Sequence, residues 1–197
     1  MGRWTVPAGL VLLAAGALAA TPATDHRPAD GPGAKGRAGQ AVEALRQLAP
    51  RGVYVVVDTA SNRVYLKRGA ETLYTARAST GSGALLVDPR DPSRGWKFDT
   101  PRGIFTITSK LVNPVWIKPD WAFIEEGQPV PTDREDRIEI GVLGQYALGF
   151  GDGYFIHGTL YTRLLGTNVT HGCIRLGEED LRHVFQAVSL GAAVIIF

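Results

Sequence analysis

The stretch that decides the fold is Val53-Tyr54-Val55-Val56-Val57, followed by the turn residues Ser61-Asn62 and then by Val64-Tyr65-Leu66. β-Branched and aromatic residues favour extended strands, and two such runs joined by a short polar turn predict a β-hairpin. Outward from this hairpin the same kind of pattern recurs in short runs. It predicts strands over residues 72–79, 103–109, 138–141, 154–156 and 193–197.

One convincing helix is expected near the C-terminus. Residues 178–180 are Glu-Glu-Asp, which place negative charge in a first helical turn, where it suits the helix dipole. Its buried face is predicted to consist of Leu181, Val184, Phe185 and Val188, and Gly191 closes the segment. Many short strands with one or two helices predict a mainly β domain, sandwich-like or a partly open barrel, with helix packed on one side. Segments 83–100 and 113–133 are rich in Gly, Pro and Asp and are expected to be long surface loops.

The first 50 residues divide into three segments. Residues 1–19 have the pattern of a secretory signal peptide, with Arg3, an apolar run over 6–20 and an Ala17-Leu18-Ala19 cleavage site. The alternative is an uncleaved membrane anchor, although the run is shorter than the roughly 20 residues that span a bilayer. Residues 20–39 contain repeated Pro and Gly and are expected to be a flexible linker. Residues 40–50 predict a short amphipathic helix that Pro50 ends, and 51–197 form the remaining domain.

Composition narrows the possible partners. Charged residues make up 20% of the chain, the net charge is +2, and no basic tract is present, so no nucleic-acid partner is expected. The signal pattern predicts export to the periplasm or cell envelope, with no membrane attachment after cleavage.

Cys173 is the only cysteine, so no internal disulfide can form. An exported lone thiol is open to oxidation and mixed disulfides. Three explanations follow: a buried apolar filler, an intermolecular bridge, or a reactive nucleophile. The residues around Cys173 favour the nucleophile.

A thiol nucleophile needs a base and fixed donors for the oxyanion that it creates. His157 and His171 are candidate bases, and the backbone N–H groups of Gly172 and Cys173 are candidate oxyanion donors. In an extended segment residues 171 and 173 project to one face, so His171 is expected beside Cys173. Two histidines and one cysteine could also ligate zinc, but neither C-x-x-C nor H-E-x-x-H occurs. We therefore predict a metal-free site without a cofactor.

These residues stand in two blocks, Ile156-His157-Gly158-Thr159 and Thr170-His171-Gly172-Cys173-Ile174-Arg175-Leu176. Together they resemble the signature of the YkuD-type L,D-transpeptidases. Shorter matches run in the same order: Ser79-Thr80-Gly81, Thr100-Pro101-Arg102-Gly103-Ile104-Phe105, and Asn113-Pro114-Val115-Trp116. The resemblance spans residues 53–197, and Thr170 stands where serine is commoner.

The resemblance implies a β-sandwich-like catalytic domain that acts on the peptide stems of peptidoglycan. Cys173 then corresponds to the nucleophile, His157 to the base and His171 to the second histidine. The implied reaction releases D-alanine, leaves an acyl-enzyme and transfers the acyl group to an amine. Thr159 or a backbone carbonyl is expected to orient the imidazole.

Four residues are placed in substrate binding: Arg175, Thr159, Thr170 and Trp116. Arg175 suits a stem carboxylate, although a salt bridge to Glu179 or Asp180 is an equal alternative. Two other functions remain open: an L,D-carboxypeptidase that uses water as acceptor, and a wall-peptide-binding domain without chemistry.

Overall fold

The computed structural model describes residues 39–40 and 49–197. The predicted signal peptide and all of the predicted linker except Gly39 lie outside these residues. Of the helix predicted over 40–50, only Gln40, Ala49 and Pro50 are described; Gln40 is helical, whereas Ala49 and Pro50 are not.

Strands dominate residues 49–197. They are β1 (Val53–Asp58), β2 (Arg63–Arg68), β3 (Glu71–Gly81), β4 (Leu85–Asp88), β5 (Asp91–Lys97), β6 (Gly103–Thr106), β7 (Ser109–Val112), β8 (Val115–Ile117), β9 (Ile138–Ile140), β10 (Tyr146–Gly151), β11 (Tyr154–His157), β12 (Asn168–Thr170), β13 (Ile174–Leu176) and β14 (Ala193–Ile196). The helices of this part are α1 (Asp120–Glu125) and α2 (Glu178–Ala187). The predicted class, mainly β with one or two packed helices, is confirmed.

Ten strands form one sheet, in the order β6-β14-β1-β2-β3-β13-β11-β10-β7, with β12 beside β3. The two strands at the ends of this order, β6 and β7, are separated in the chain only by residues 107–108. Because two residues cannot cross the width of a flat sheet, the sheet must curl until its ends approach each other. Ile107 lies in this connection between β6 and β7 and is 2% exposed.

The predicted hairpin is confirmed as β1 and β2, which pair antiparallel with Val55 opposite Leu66. Inward-facing residues of these strands, among them Val55, Val57 and Val64, are completely buried. They pack in one core with residues of the central strands and with the face of α2 formed by Leu181 and Val184. The alternation that predicts the strands is therefore the alternation that builds the core.

Three local expectations were wrong. The single strand predicted over 103–109 is two strands, β6 and β7, because the chain changes its pairing partner at Ile107: β6 pairs with β14, and β7 pairs with β10. The segment 83–100 contains the two-stranded sheet β4–β5, and the segment 113–133 contains β8 and helix α1, whereas loops were expected.

Ion pairs explain why the segment 113–133 is ordered. Asp120, in the first turn of α1, accepts hydrogen bonds from Arg94 of β5 and from Arg137. Lys118 is 5% exposed, and its ammonium pairs with Glu126 and with Glu139 of β9. Such charge pairs leave no periodic signature in the sequence, since partners such as Arg94 and Asp120 lie 26 positions apart along the chain.

Within residues 39–40 and 49–197, no helix combines the length and the apolar character needed to span a membrane.

Candidate active site

Strand β11 ends at His157 and runs parallel to β13, which begins one residue after Cys173. Their register pairs Ile156 with Ile174 and His157 with Arg175. Both isoleucines are completely buried in the core. Because side chains alternate along a strand, His157 and Arg175 lie on the face of the sheet opposite the two isoleucines. Cys173 directly precedes β13, two positions before Arg175. The pairing of these two strands is what brings the two sequence blocks together.

The Cys173 thiol lies in a desolvated environment. Burial raises the pKa of Cys173 above its usual value, while the backbone N–H of Phe155 and the charge of Arg175 act in the opposite direction. Burial is the largest of these effects, and it raises the pKa because it disfavours the charged thiolate. The resting sulfur is therefore protonated at neutral pH.

His157 is 4% exposed, and burial lowers its pKa to about 4, with a further lowering by Arg175 and an opposing contribution from the Gly158 backbone. The imidazole is therefore neutral at pH 7 and able to accept a proton. Its Nδ1 atom is buried and has no hydrogen-bond partner within residues 49–197. Buried polar atoms are rarely left unpaired, and such an exception is typical of a catalytic group.

The segment before Cys173 is bent. Gly172 has a φ of +119°, and a methyl group there would lie 2.6 Å from Tyr154 Cε1 and 2.9 Å from the Asp99 carbonyl oxygen. Residues 171–173 are therefore not extended, and the argument that alternation places His171 beside Cys173 does not hold. Only glycine fits this position, because it alone adopts such a φ without strain and occupies so little space.

Two threonine hydroxyls hold this bend. Thr170 Oγ1 donates to the Cys173 carbonyl at 2.6 Å and accepts the Gly172 N–H at 3.1 Å. Thr100 Oγ1 donates to the Gly172 carbonyl and accepts the Gly81 N–H, both at 2.8 Å. The Gly172 N–H, expected as an oxyanion donor, is thus engaged with Thr170 in this conformation. The Cys173 N–H stays a predicted oxyanion donor.

The ring of His171 is held by helix α1 and its surroundings. Its Nε2 lies 2.8 Å from Glu125 Oε2, and the ring stacks on Trp121 with 4.3 Å between centroids. The edge of Phe98 packs against it at 4.5 Å. Glu125 and Trp121 both belong to α1, so His171 links the segment before Cys173 to that helix.

The predicted substrate-binding residues occupy different places. Arg175 takes part in none of the ion pairs found among residues 49–197, so the expected alternative pairing with Glu179 or Asp180 is absent there. Thr170 is 1% exposed and has the structural role described above. Trp116 packs against Trp121 at 6.1 Å between centroids.

Comparison with known proteins decides the family. The family model described as the L,D-transpeptidase catalytic domain, YkuD, matches residues 52–196. The chain belongs to this family.

Two relatives carry L,D-transpeptidase names. YqjB of Bacillus subtilis is 35% identical over 150 residues, which are 75% of this chain and 72% of that protein. YbiS of Escherichia coli K12 is 34% identical over 144 residues, 71% of this chain, so this chain spans only 46% of that relative. A solved structure of L,D-transpeptidase 3 from Mycobacterium tuberculosis, in complex with a faropenem-derived adduct, has a TM-score of 0.52. It is 21% identical, with 74% of this chain and 60% of that chain covered, and shows that the fold is shared.

Two cavities of the L,D-transpeptidase domain lie near these residues, although neither is lined by Cys173, His157 or His171. The first, of 700 Å³, is polar and is lined by Thr100, Gly81, Lys97 and Arg102 among others. The second, of 510 Å³, contains Thr159, whose hydroxyl oxygen accepts the Tyr161 N–H. They lie beside the Gly172 bend and beside the end of β11, respectively.

Sequence reasoning missed several contributors. Glu125 had no role assigned, since an acidic residue 46 positions before His171 gives no local signal. Thr100 was noted only within the Thr-Pro motif, although its hydroxyl joins two backbone segments. The effect of the Phe155 backbone on the pKa of Cys173 also gives no signal in the sequence, because it depends on the strand register. Within the described part of the chain, no group of three or more His, Cys, Asp or Glu side chains is arranged to hold a metal ion.

Proposed function

We propose that the chain is an exported enzyme that cross-links or remodels peptidoglycan by acyl transfer through Cys173. The observation that supports this most directly is the state of His157. It is a buried, neutral imidazole with an unpartnered Nδ1, on the strand paired with the one that follows Cys173. A neutral imidazole on a strand whose neighbour begins directly after a lone thiol suits nucleophilic catalysis.

The first half-reaction is attack of the Cys173 sulfur on the carbonyl that links the stem diamino acid to a terminal D-alanine. The thiol proton passes to His157 as the C–S bond forms, and the Cys173 N–H is the proposed donor to the oxyanion. Collapse of the intermediate breaks the C–N bond, and the proton on His157 moves to the departing amine. D-Alanine leaves, and a thioester remains on Cys173.

The second half-reaction reverses the proton path. An acceptor amine attacks the thioester, the C–N bond forms and the C–S bond breaks. His157 takes the amine proton and returns a proton to the sulfur. The guanidinium of Arg175 forms no ion pair within residues 49–197, and its charge acts on both His157 and Cys173. It is our proposed ligand for a stem carboxylate, since guanidinium binds carboxylate through two parallel hydrogen bonds.

The pKa directions favour proton transfer during the attack itself. The pKa of Cys173 is raised and that of His157 is lowered to about 4, so the resting pair is a thiol and a neutral imidazole. A preformed thiolate–imidazolium pair would require the opposite order of pKa values. Substrate binding must therefore precede formation of the charged nucleophile.

Mass spectrometry of the intact protein tests the proposal. A stem tetrapeptide, or faropenem as a reactive analogue, is expected to add one acyl group to the wild type. The C173A variant, which has no thiol at all, is expected to stay unmodified. A covalent adduct on C173A would overturn the assignment of the nucleophile.

Paired histidine variants test the base. H157Q is expected to lower the acylation rate by about 100-fold or more, as removal of a general base typically does. H183Q is the matched control, because His183 is exposed and stacks on Tyr74, away from Cys173. Equal rates in the two variants would refute the role of His157. Tripeptide as the only product, even with excess acceptor amine, would favour the carboxypeptidase reaction.

Export is the second part of the proposal. Arg3, the apolar run over 6–20 and the Ala17-Leu18-Ala19 motif support a cleaved signal peptide and a location in the periplasm or cell envelope. N-terminal sequencing of the mature protein is expected to start at residue 20. An intact Met1 on protein that remains in the membrane fraction would favour an anchor instead.

A further inference from the structure

The 510 Å³ cavity beside the end of β11 contains one carboxylate, that of Glu178. Glu178 Oε1 accepts the backbone N–H of Gln145 at 3.0 Å. Glu178 Oε2 lies over the backbone of two glycines: a methyl group would come within 2.6 Å of it from Gly144 and within 2.7 Å from Gly158. Both glycines therefore leave this oxygen room, and Gly158 is the residue that follows His157.

Within residues 49–197, Glu178 Oε2 accepts no hydrogen bond. In the same part of the chain no ion pair involves Glu178, and its hydrogen bond with Gln145 uses the other oxygen. Glu178 lies in the first turn of α2, where acidic side chains suit the helix dipole. Glu179 and Asp180 lie in the same turn and already suit the dipole. The dipole therefore does not explain why the Glu178 carboxylate lies against Gly144 and Gly158.

The remainder of the cavity wall is largely apolar. Ile140 is 82% exposed and Leu160 is 71% exposed at its rim, and Pro114 lines it as well. An uncovered apolar rim with one carboxylate inside suits a ligand that has an aliphatic stem and a single positive charge at its end. A neutral peptide would leave the charge uncompensated, and an anion would be repelled.

We propose that this cavity binds the acceptor, a primary ammonium at the end of an aliphatic chain, with Glu178 as the residue that recognises its charge. This proposal rests on the proposed function, because an acceptor is needed only by a transferase. Glu178 holds the cation near the thioester, and the apolar rim contacts the aliphatic stem. The ammonium gives one proton to solvent before it attacks; the amide then forms as the C–S bond breaks, and the second amine proton is carried to the sulfur by His157.

The test compares E178Q with E179Q. The side-chain amide that E178Q introduces can still accept the Gln145 N–H, so the loop is kept while the charge is lost. Glu179 is an exposed carboxylate on the same helical turn and serves as the control. Each variant is acylated with tetrapeptide, and the acyl-enzyme then reacts either with water or with an added acceptor. The acceptors are Nα-acetyl-lysine amide, which is cationic, and hydroxylamine, which is neutral at neutral pH.

E178Q is expected to reduce transfer to the lysine derivative, relative to hydrolysis, by about fivefold, the effect of one partly exposed ion pair. Transfer to hydroxylamine and the acylation rate should remain at the level of E179Q. High salt should weaken use of the cationic acceptor by the wild type and leave E178Q unchanged. An equal loss for both acceptors would overturn the proposal, since it would mean that Glu178 only orders the loop.

A binding measurement separates this proposal from the proposed function. Calorimetric titration of C173A with Nα-acetyl-lysine amide needs no chemistry, and its comparison with the C173A/E178Q double variant reports the cation site alone. Weaker binding by about fivefold supports the site even if wild-type protein forms no acyl-enzyme. Equal affinities overturn it even if the enzyme is an active transpeptidase.

Discussion

Acidification is expected to destabilise this protein through a single buried imidazole. His157 is 4% exposed and its native pKa is lowered to about 4, whereas an unfolded histidine titrates near 6.5. Between these two values the unfolded chain binds a proton that the native state excludes. The stabilising contribution is therefore complete above pH 6.5 and is lost as the pH falls toward 4.

The size of the effect follows from the two pKa values. Each pH unit between them corresponds to about 1.4 kcal/mol, so the free energy of unfolding should fall by about 3 kcal/mol from pH 7 to pH 4 because of His157. With a urea m-value of about 2 kcal/mol per molar, the midpoint of unfolding should decrease by about 1.5 M.

Urea titrations at a series of pH values measure this loss in the wild type, H157Q and H183Q. Carboxylates also contribute to acid destabilisation, but they do so in all three proteins, so the difference between wild type and H157Q isolates the buried imidazole. H183Q should behave as the wild type because His183 is exposed. If H157Q lost as much stability as the wild type between pH 7 and pH 4, the burial argument and the neutral-base mechanism would both be refuted.

Three further outcomes are expected. G172A should destabilise the protein by about 3 kcal/mol or more in urea titrations, since a methyl group there would meet Tyr154 at 2.6 Å. G153A, with φ +78° and open space around it, should lose only about 1 kcal/mol, and equal losses would contradict the steric account. T100V should lose about 2 kcal/mol of stability because the Gly81 N–H and the Gly172 carbonyl lose the hydroxyl that they share, and T100S should retain most of that stability. Unchanged stability in T100V would show that these two hydrogen bonds are dispensable. The acylation rate measured by stopped flow should decline with decreasing pH only near pH 4, where His157 becomes protonated, and an acid limb near 6.5 would indicate a solvated base.

Patterns confined to a few residues could be predicted from the sequence. The hairpin of β1 and β2 follows from alternating β-branched residues around Asn62, whose φ of 53° suits a turn. The start of α2 follows from its acidic first turn, and its buried face is the predicted one for Leu181 and Val184. These features depend on neighbours in the chain, which is why the sequence alone is sufficient.

Features that depend on distant partners could not be predicted. The change of partner at Ile107 requires knowledge of the curled sheet, and the order of segment 113–133 requires Arg94 and Arg137 to meet Asp120. At the site, the signature blocks predict which residues act, but the orientation of His171 depends on Glu125 from α1. The bend at Gly172 overrode the simple alternation argument because φ is +119° there.

The parallel pairing of β11 with β13 has a consequence for how such a domain can diversify. Residues 158–173 link the two strands, but the position of His157 relative to the start of β13 is fixed by the pairs Ile156–Ile174 and His157–Arg175 rather than by the length of that link. Insertions within its exposed part, around residues 160–164, should therefore leave the pairing of β11 with β13 unchanged and reshape only the surface around it. Changes in this loop should therefore alter substrate preference without altering reactivity. Grafting the loop from relatives is a way to engineer such changes.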